Sequence, residues 1–432
     1  MLTHSLDSIM AAEKLRNVSR NAKLVVGIVS GAEFVNHMFL VLLPPILGIL
    51  TEDFRTTISV LGLAMGFQRF STTIFQLPFG WVADTYGRVF SMGLAIWIGG
   101  AGVFVVALSP SIPALFLGVA LIGLGIAGHH PSHYPLISGA VPEAVRARAF
   151  SMRGFAGALG FGTPPVLITA VLTVPGLIWR HALTLIGTLG VLYGVVAYLL
   201  LRRITDESVE TEAYRENTSE SESRRSRIYA EITSILSSPA VLAVAFLSFV
   251  WSLTSNGITS YTVVMLTDGY GLNLGTANLT FSLMFGAGAV MALVGGALTD
   301  RFSAGSVLLS TIALAGVLLA LFASLLLPAA LVIPVAITIG GVRMAGGPSR
   351  STLIDRFSDP ESLGRSFAVM TIGLMLGGAV GPTVFGILID NIGLQVAFLT
   401  MCGVALIALL IALGIVVRYD NYAVDTIRSI RS

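Results

Sequence analysis

Charge is what this 432-residue chain lacks most. Asp, Glu, Lys and Arg make up 11% of it, against about 25% in an ordinary soluble domain. A soluble globule of this length needs far more charge on its surface. The scarcity therefore excludes a cytosolic enzyme, a nucleic-acid binder and a disordered regulator. Cys402 is the single cysteine, which excludes an internal disulfide framework and a cysteine-cluster metal site. No GxxxxGK[ST] phosphate loop occurs, so ATP drive within the chain is not expected. Neither a nucleophile elbow nor an HExxH motif is present, so no enzyme activity and no cofactor are expected. The net charge of +2 is too small to signal an acidic partner.

What the chain has is apolar length. Hydrophobic residues make up 55% of it, and the mean hydropathy is +0.87. A membrane helix takes about 20 mostly apolar residues. Such spans fall near 24–49, 58–79, 91–108, 112–136, 148–172 and 177–201. A second set falls near 240–266, 277–298, 305–327, 330–353, 365–388 and 395–417. Between the sets, 202–239 holds the run TDESVETEAYRENTSESESRRSR, which reads as a solvated linker. The predicted fold is an all-α polytopic membrane protein with twelve transmembrane helices in two pseudo-symmetric six-helix bundles. The bundles cover 24–201 and 240–417, between tails at 1–23 and 418–432. The first 23 residues lack the apolar core and cleavage site of a signal peptide. Leu2, Leu6, Ile9 and Met10 fit either one face of a short surface helix or a frayed tail.

Basic residues set the expected orientation. The N-terminal tail carries Lys14, Arg16, Arg20 and Lys23. The linker region carries Arg202, Arg203, Arg215, Arg224, Arg225 and Arg227, and the C-terminal tail Arg418, Arg428 and Arg431. The loops of the opposite face hold only Arg55 and Arg180. Both termini and the linker are thus expected to be cytoplasmic.

The halves repeat. Gly80-Trp-Val-Ala-Asp84 recurs as Gly296-Ala-Leu-Thr-Asp300, and Pro131-Ser132 as Pro348-Ser349. Pro142-Glu143 recurs as Pro360-Glu361. Arg148, Phe150, Gly160 and Pro165 recur as Arg365, Phe367, Gly377 and Pro382. Collinear repeats at a near-constant offset imply two related bundles able to rock about a shared axis.

Gly80, Ala83, Asp84, Gly87 and Arg88 resemble the loop 2–3 signature of the major facilitator superfamily. A degenerate second copy stands at Gly296, Asp300 and Arg301. Thr85 and Val89 depart from the usual basic residues, and Ser303 replaces the later glycine. The resemblance implies a rocker-switch transporter in which Asp84 latches the cytoplasmic side against the start of the eleventh helix near Arg365. Asp300 would face the start of the fifth near Arg148. A tight-turn anchor is the plainer reading of both. The fifth helix carries Gly154, Gly157, Gly160, Gly162 and Pro164, which resembles the antiporter signature of the superfamily. Gly377, Gly381 and Pro382 echo it in the eleventh. This implies efflux, although the same residues serve generic close packing. The His-Pro of the fourth helix, with Asn36 and Pro44-Pro45, resembles the fosmidomycin-resistance type of efflux transporter. That resemblance implies a bacterial inner membrane and a monomer as the working unit.

Ionisable residues within a bilayer are costly, so each is a functional candidate. Glu33 is the acidic residue deep in a span, with His37 one turn on. Arg69 in the second helix and Arg343 in the tenth reach similar depth. Desolvation and a nearby cation push a carboxylate's proton affinity in opposite directions. Glu33 is therefore the expected proton carrier, with His37 sharing the role or packing. A permanent Glu33–Arg69 structural pair is the alternative. His129, His130 and His133 crowd the fourth helix; His129 and His133 share a face at metal-ligand spacing, but hydrogen bonding or proton relay is the favoured reading and no resident metal is expected. Asn36, Arg69, Gln76, His130, His133, Trp251, Asn256, Tyr261 and Arg343 are candidates to line a substrate cavity, with Gln68 beside them; Gln68, Gln76, Trp251, Asn256 and Tyr261 also fit packing or helix-bridging hydrogen bonds. Cys402 is expected to pack within the last helix.

The expected function is proton-coupled efflux of a small organic solute or drug, the partners being the lipid bilayer, the proton and that solute. A metal ion, metal chelate or inorganic anion as substrate is the second hypothesis. A non-transporting sensor or scaffold is the third, and it needs neither Asp84 nor Glu33.

Overall fold

A computed structural model describes residues 19–204, 238–358 and 363–419. The expected N-terminal surface face, most of the linker, the Pro360–Glu361 pair and most of the C-terminal tail lie outside the described residues.

Every regular element among the described residues is helical. In chain order they are α1 (Arg20–Leu40), α2 (Leu47–Asp53), α3 (Ile58–Tyr86), α4 (Arg88–Ala107), α5 (Ile112–Ala127), α6 (His129–Ala140), α7 (Glu143–Leu172) and α8 (Trp179–Ile204). There follow α9 (Pro239–Val264), α10 (Leu274–Arg301), α11 (Ala304–Ala323), α12 (Ala329–Ala345), α13 (Gly347–Phe357), α14 (Leu363–Ile392) and α15 (Leu394–Tyr419).

Prolines explain where the expected spans break. The first span divides because Pro44 and Pro45 form a short 3₁₀ turn between α1 and α2, and neither can donate a backbone N–H. The fourth divides at Gly128: Pro131 removes the hydrogen bond that would return to the carbonyl of Ala127. The tenth divides at Gly346, just before Pro348. Eleven segments among the described residues are long and apolar enough to cross a membrane. The remaining long helix is α3, whose 29 residues span about 43 Å at about 1.5 Å each. Gln68, Arg69 and Gln76 dilute its hydropathy without shortening it. The twelve-helix transmembrane fold accommodates all of these segments.

Element lengths carry the internal repeat into three dimensions. Helices α4 and α11 each have 20 residues, α7 and α14 each 30, and α8 and α15 each 26.

The Cα framework divides into two compact units. The described part of one comprises 19–41, 71–161 and 178–204; that of the other comprises 42–70, 162–177, 238–358 and 363–419. In the first unit small residues let helices touch backbone to backbone. A Cβ on Gly125 would strike the backbone of Gly99, and one on Gly102 would lie 2.5 Å from the Ile122 nitrogen. In the second unit Gly295 lies against Ala345, and Gly373, Gly377 and Gly381 lie against the α9 carbonyls of Ala245, Phe249 and Leu253. Large apolar side chains such as Leu77 and Leu326 remain 85% and 86% exposed, a pattern that suits hydrocarbon and not water. This is the outer surface of an integral membrane protein.

Candidate functional site

Helix α1 brings Glu33 and His37 to one face, because residues four apart share a side of a helix. Both lie in the first compact unit, with α6 and the first part of α7. Gly157 and Gly160 on α7 permit the close approach. A Cβ at Gly157 would overlap the His37 ring and come within 3.1 Å of Glu33 Cγ; one at Gly160 would strike the Phe34 carbonyl. Two glycines of the expected antiporter-like motif are thus the wall of an acid–histidine cluster.

Glu33 is 3% exposed, and its carboxylate is the hub. Arg153 Nη2 lies 2.9 Å from Oε1 and 3.0 Å from Oε2, so one nitrogen serves both oxygens. His133 Nδ1 donates to Oε2 at 3.0 Å. His37 Nε2 lies 3.6 Å from Oε1 and His129 Nε2 3.5 Å from Oε2. His130 Nδ1 lies 3.4 Å from Arg153 Nη2. The Arg153 guanidinium also sits 4.3 Å above the centre of the Tyr134 ring, a cation–π contact. His37 stacks on Phe161 at 4.3 Å between centroids.

His129 Nδ1 is 2.8 Å from the Ile126 carbonyl. A carbonyl only accepts, so Nδ1 carries the hydrogen and the Nε2 of the neutral ring is bare. That bare nitrogen faces Glu33 Oε2, an acceptor itself. Two lone pairs 3.5 Å apart repel unless a proton lies between them. The geometry therefore contains a position where one added proton satisfies two groups.

Single donor atoms of Glu33, His37 and His129 all lie within 4.8 Å of one another, close enough to converge on a cation. Arg153 already places a fixed positive charge on the same carboxylate, which favours a proton over a divalent ion.

Sequence reasoning named Glu33, His37, His129, His130 and His133, and the structure brings these five together. It missed Arg153, which is 4% exposed and supplies the guanidinium on Glu33. The signal was helical spacing: Arg153 stands one turn before Gly157, on the face that meets α1. Asn36 is buried beside the cluster, and neither polar atom of its side chain has a hydrogen-bond partner among the described residues. Gln76 Nε2 is likewise buried without one.

The two expected arginine partners, Arg69 and Arg343, belong to the second unit. Arg343 is held there by the Ser255 carbonyl and the Thr259 hydroxyl. Trp251 lies in an apolar core with Val250, Leu308 and Ile312. Tyr261 is fully buried, and its hydroxyl donates to the Pro382 carbonyl. Asn256 donates to the Ser252 carbonyl at 2.9 Å. These three make packing and bridging contacts within the second unit. Cys402 donates to the Phe398 carbonyl one turn back.

In the loop motif, Gly87 has φ of 91°, a conformation that favours glycine, and it turns the chain from α3 into α4. Arg88 is buried at the start of α4, whereas Asp84, Asp300 and Arg301 are exposed.

A buried acid–histidine–arginine cluster inside a multi-pass helical membrane protein fits the class of membrane transporters. The sequence profile of the Major Facilitator Superfamily matches residues 29–357 and 344–426, and the chain belongs to that family. It is 26% identical over 401 residues to the uncharacterized MFS-type transporter YfnC of Bacillus subtilis (strain 168), covering 88% of this chain and 90% of YfnC. Among solved structures, it resembles a bacterial homologue of the human lysosomal transporter Spinster, captured inward-facing and occupied. There the TM-score is 0.75 at 15% identity, over 92% of this chain and 97% of that one. A D-xylose–proton symporter gives 0.74 at 13% identity, over 90% and 96%. These two likenesses show the fold.

Proposed function

We propose that the protein is a proton-coupled secondary transporter that exports a small organic solute, with Glu33 and the histidines around it as the proton site. The observation that carries this reading is the facing pair of acceptors, Glu33 Oε2 and bare His129 Nε2, 3.5 Å apart. A permanent structural ion pair needs Arg153 alone. Three imidazoles on the same carboxylate add groups that titrate near neutral pH in their ordinary state. A carboxylate's hold on its proton depends on whether a guanidinium sits on it. A movement that draws Arg153 and Glu33 apart therefore changes proton binding, and proton binding biases the movement.

In this reading six-helix bundles at 24–201 and 240–417 rock to expose a central site alternately. Asp84, Arg88 and the weaker Asp300–Arg301 copy act as gates. The Gly-rich stretches of α7 and α14 favour export, the antiporter mode and the kinship with the fosmidomycin-resistance type. The working unit is a monomer in a bacterial inner membrane, with both termini and the linker cytoplasmic. Arg153 argues against the metal-ion alternative, and a scaffold has no use for so costly a cluster.

Purified protein in liposomes, given an imposed pH gradient and scanned over organic solutes, tests this. The reading expects a solute-dependent proton flux that disappears in E33Q. Solute flux indifferent to both the gradient and E33Q would overturn it.

A further inference from the structure

The second unit contains a buried cation that has no counter-ion among the described residues. Arg343 is 5% exposed, and among the described residues no carboxylate lies within ion-pair distance of it. Its Nη1 is committed: it donates to the Ser255 carbonyl and, at 2.8 Å, to the Thr259 hydroxyl. That hydroxyl in turn donates to the Ser255 carbonyl at 3.0 Å, which leaves its lone pairs for the arginine. The three groups fix the plane of the guanidinium.

The other edge is left open. Nε of Arg343 is buried and has no hydrogen-bond partner among the described residues. A second guanidinium, Arg69, lies within electrostatic range. A buried N–H left unmade is costly, and a buried charge without a partner more so. Holding a rigid donor edge open near a like charge makes physical sense when a ligand completes it. The edge of a guanidinium offers parallel N–H donors, which match the two oxygens of a carboxylate, sulfonate or phosphate group.

We propose that Arg343 is the anchor for an oxyanion group on the transported solute, so that the cargo is a small organic anion. This rests on the transport reading above and names its substrate class. Arg69 adds long-range attraction, while Ser255 and Thr259 position the anchor.

The test uses full-length protein in detergent, followed by thermal unfolding. The probes are sodium benzoate and sodium benzenesulfonate, against benzamide and benzenesulfonamide at matched ionic strength. At least one oxyanion is expected to raise the midpoint saturably by several degrees, while its uncharged counterpart does not. R343Q should abolish that shift. R343K, which keeps the charge and loses the fork, should require about tenfold more anion for the same shift. The proposal is overturned if no oxyanion stabilises the protein beyond its uncharged counterpart. It is equally overturned if the shift survives in a monodisperse R343Q or, should R343Q not fold, is undiminished in R343K. Wild-type protein that shows proton-linked flux but no anion shift refutes this inference alone. An anion shift without proton-linked flux refutes the coupling reading alone.

Discussion

Arg153 touches both oxygens of Glu33, so removing either residue alone leaves the other charged and buried. Breaking such a pair typically costs about 3–5 kcal/mol, whereas removing both partners is far cheaper. R153Q is therefore expected to lower the unfolding midpoint markedly, and the E33Q/R153Q double variant to recover more than half of the loss. Additive losses in that thermal-unfolding cycle would show that the two groups do not act as a pair. In G157A the new methyl overlaps the His37 ring, so His37 must leave its place on Phe161 and move relative to Glu33. Proton-linked transport should fall several-fold while the helix content measured by circular dichroism stays unchanged. An unaltered transport rate would mean that His37 has no part in coupling. Glu33 was legible in the sequence because a lone acid in an apolar span stands out. Arg153 was not, because it lies near the start of the expected span at 148, where an arginine reads as a boundary charge, whereas α7 begins at Glu143. Only the crossing of α7 over α1 turns it inward.

The elements are joined by contacts that periodicity does not record. Asp390, near the end of α14, accepts the backbone N–H of Ile58 at 3.2 Å and of Ser59 at 2.7 Å, at the start of α3. A carboxylate there satisfies two donors that the helix cannot satisfy itself and complements the positive end of its dipole. Close by, a Cβ on Gly62 would strike the Tyr261 hydroxyl and the Pro382 carbonyl, and one on Gly386 would lie 3.1 Å from Ser59 Cα. The start of α3 is thus fastened tightly to α14. Losing a cap of this kind costs roughly 0.5–2 kcal/mol. D390N should accordingly speed amide exchange at Ile58 and Ser59 by about 2–30-fold, given about 1.4 kcal/mol per tenfold. Unchanged exchange at these two amides would show that water replaces the carboxylate without loss. The expected spans followed these helices in order, eleven of them as long apolar segments and the twelfth as the more polar α3, because apolar length dictates a membrane helix. Their breaks at Val41 and Gly128 each lay three residues before a visible proline, Pro44 and Pro131. The Asp390 fastening was invisible, because its partners stand more than 300 positions apart and are backbone atoms.

At the scale of the molecule, the scarcity of charge becomes a pattern of placement. Most basic residues lie at the tails and the linker and predict the topology. Reporter fusions after residue 432 and within 205–237 should both be cytoplasmic, and a periplasmic signal from either would reverse the orientation. Inside the spans, one acid gathers an arginine and three histidines, while a buried arginine elsewhere keeps an open donor edge. Coupled transport follows if the first cluster binds the proton and the second receives the cargo. The central claim is that Glu33 carries the coupling and not the cargo. The most direct test compares two modes of transport by E33Q in liposomes with one transported solute: gradient-driven accumulation and solute–solute exchange without a gradient. Accumulation should be lost, while exchange by the folded fraction of E33Q persists. Gradient-driven accumulation preserved in E33Q would contradict it.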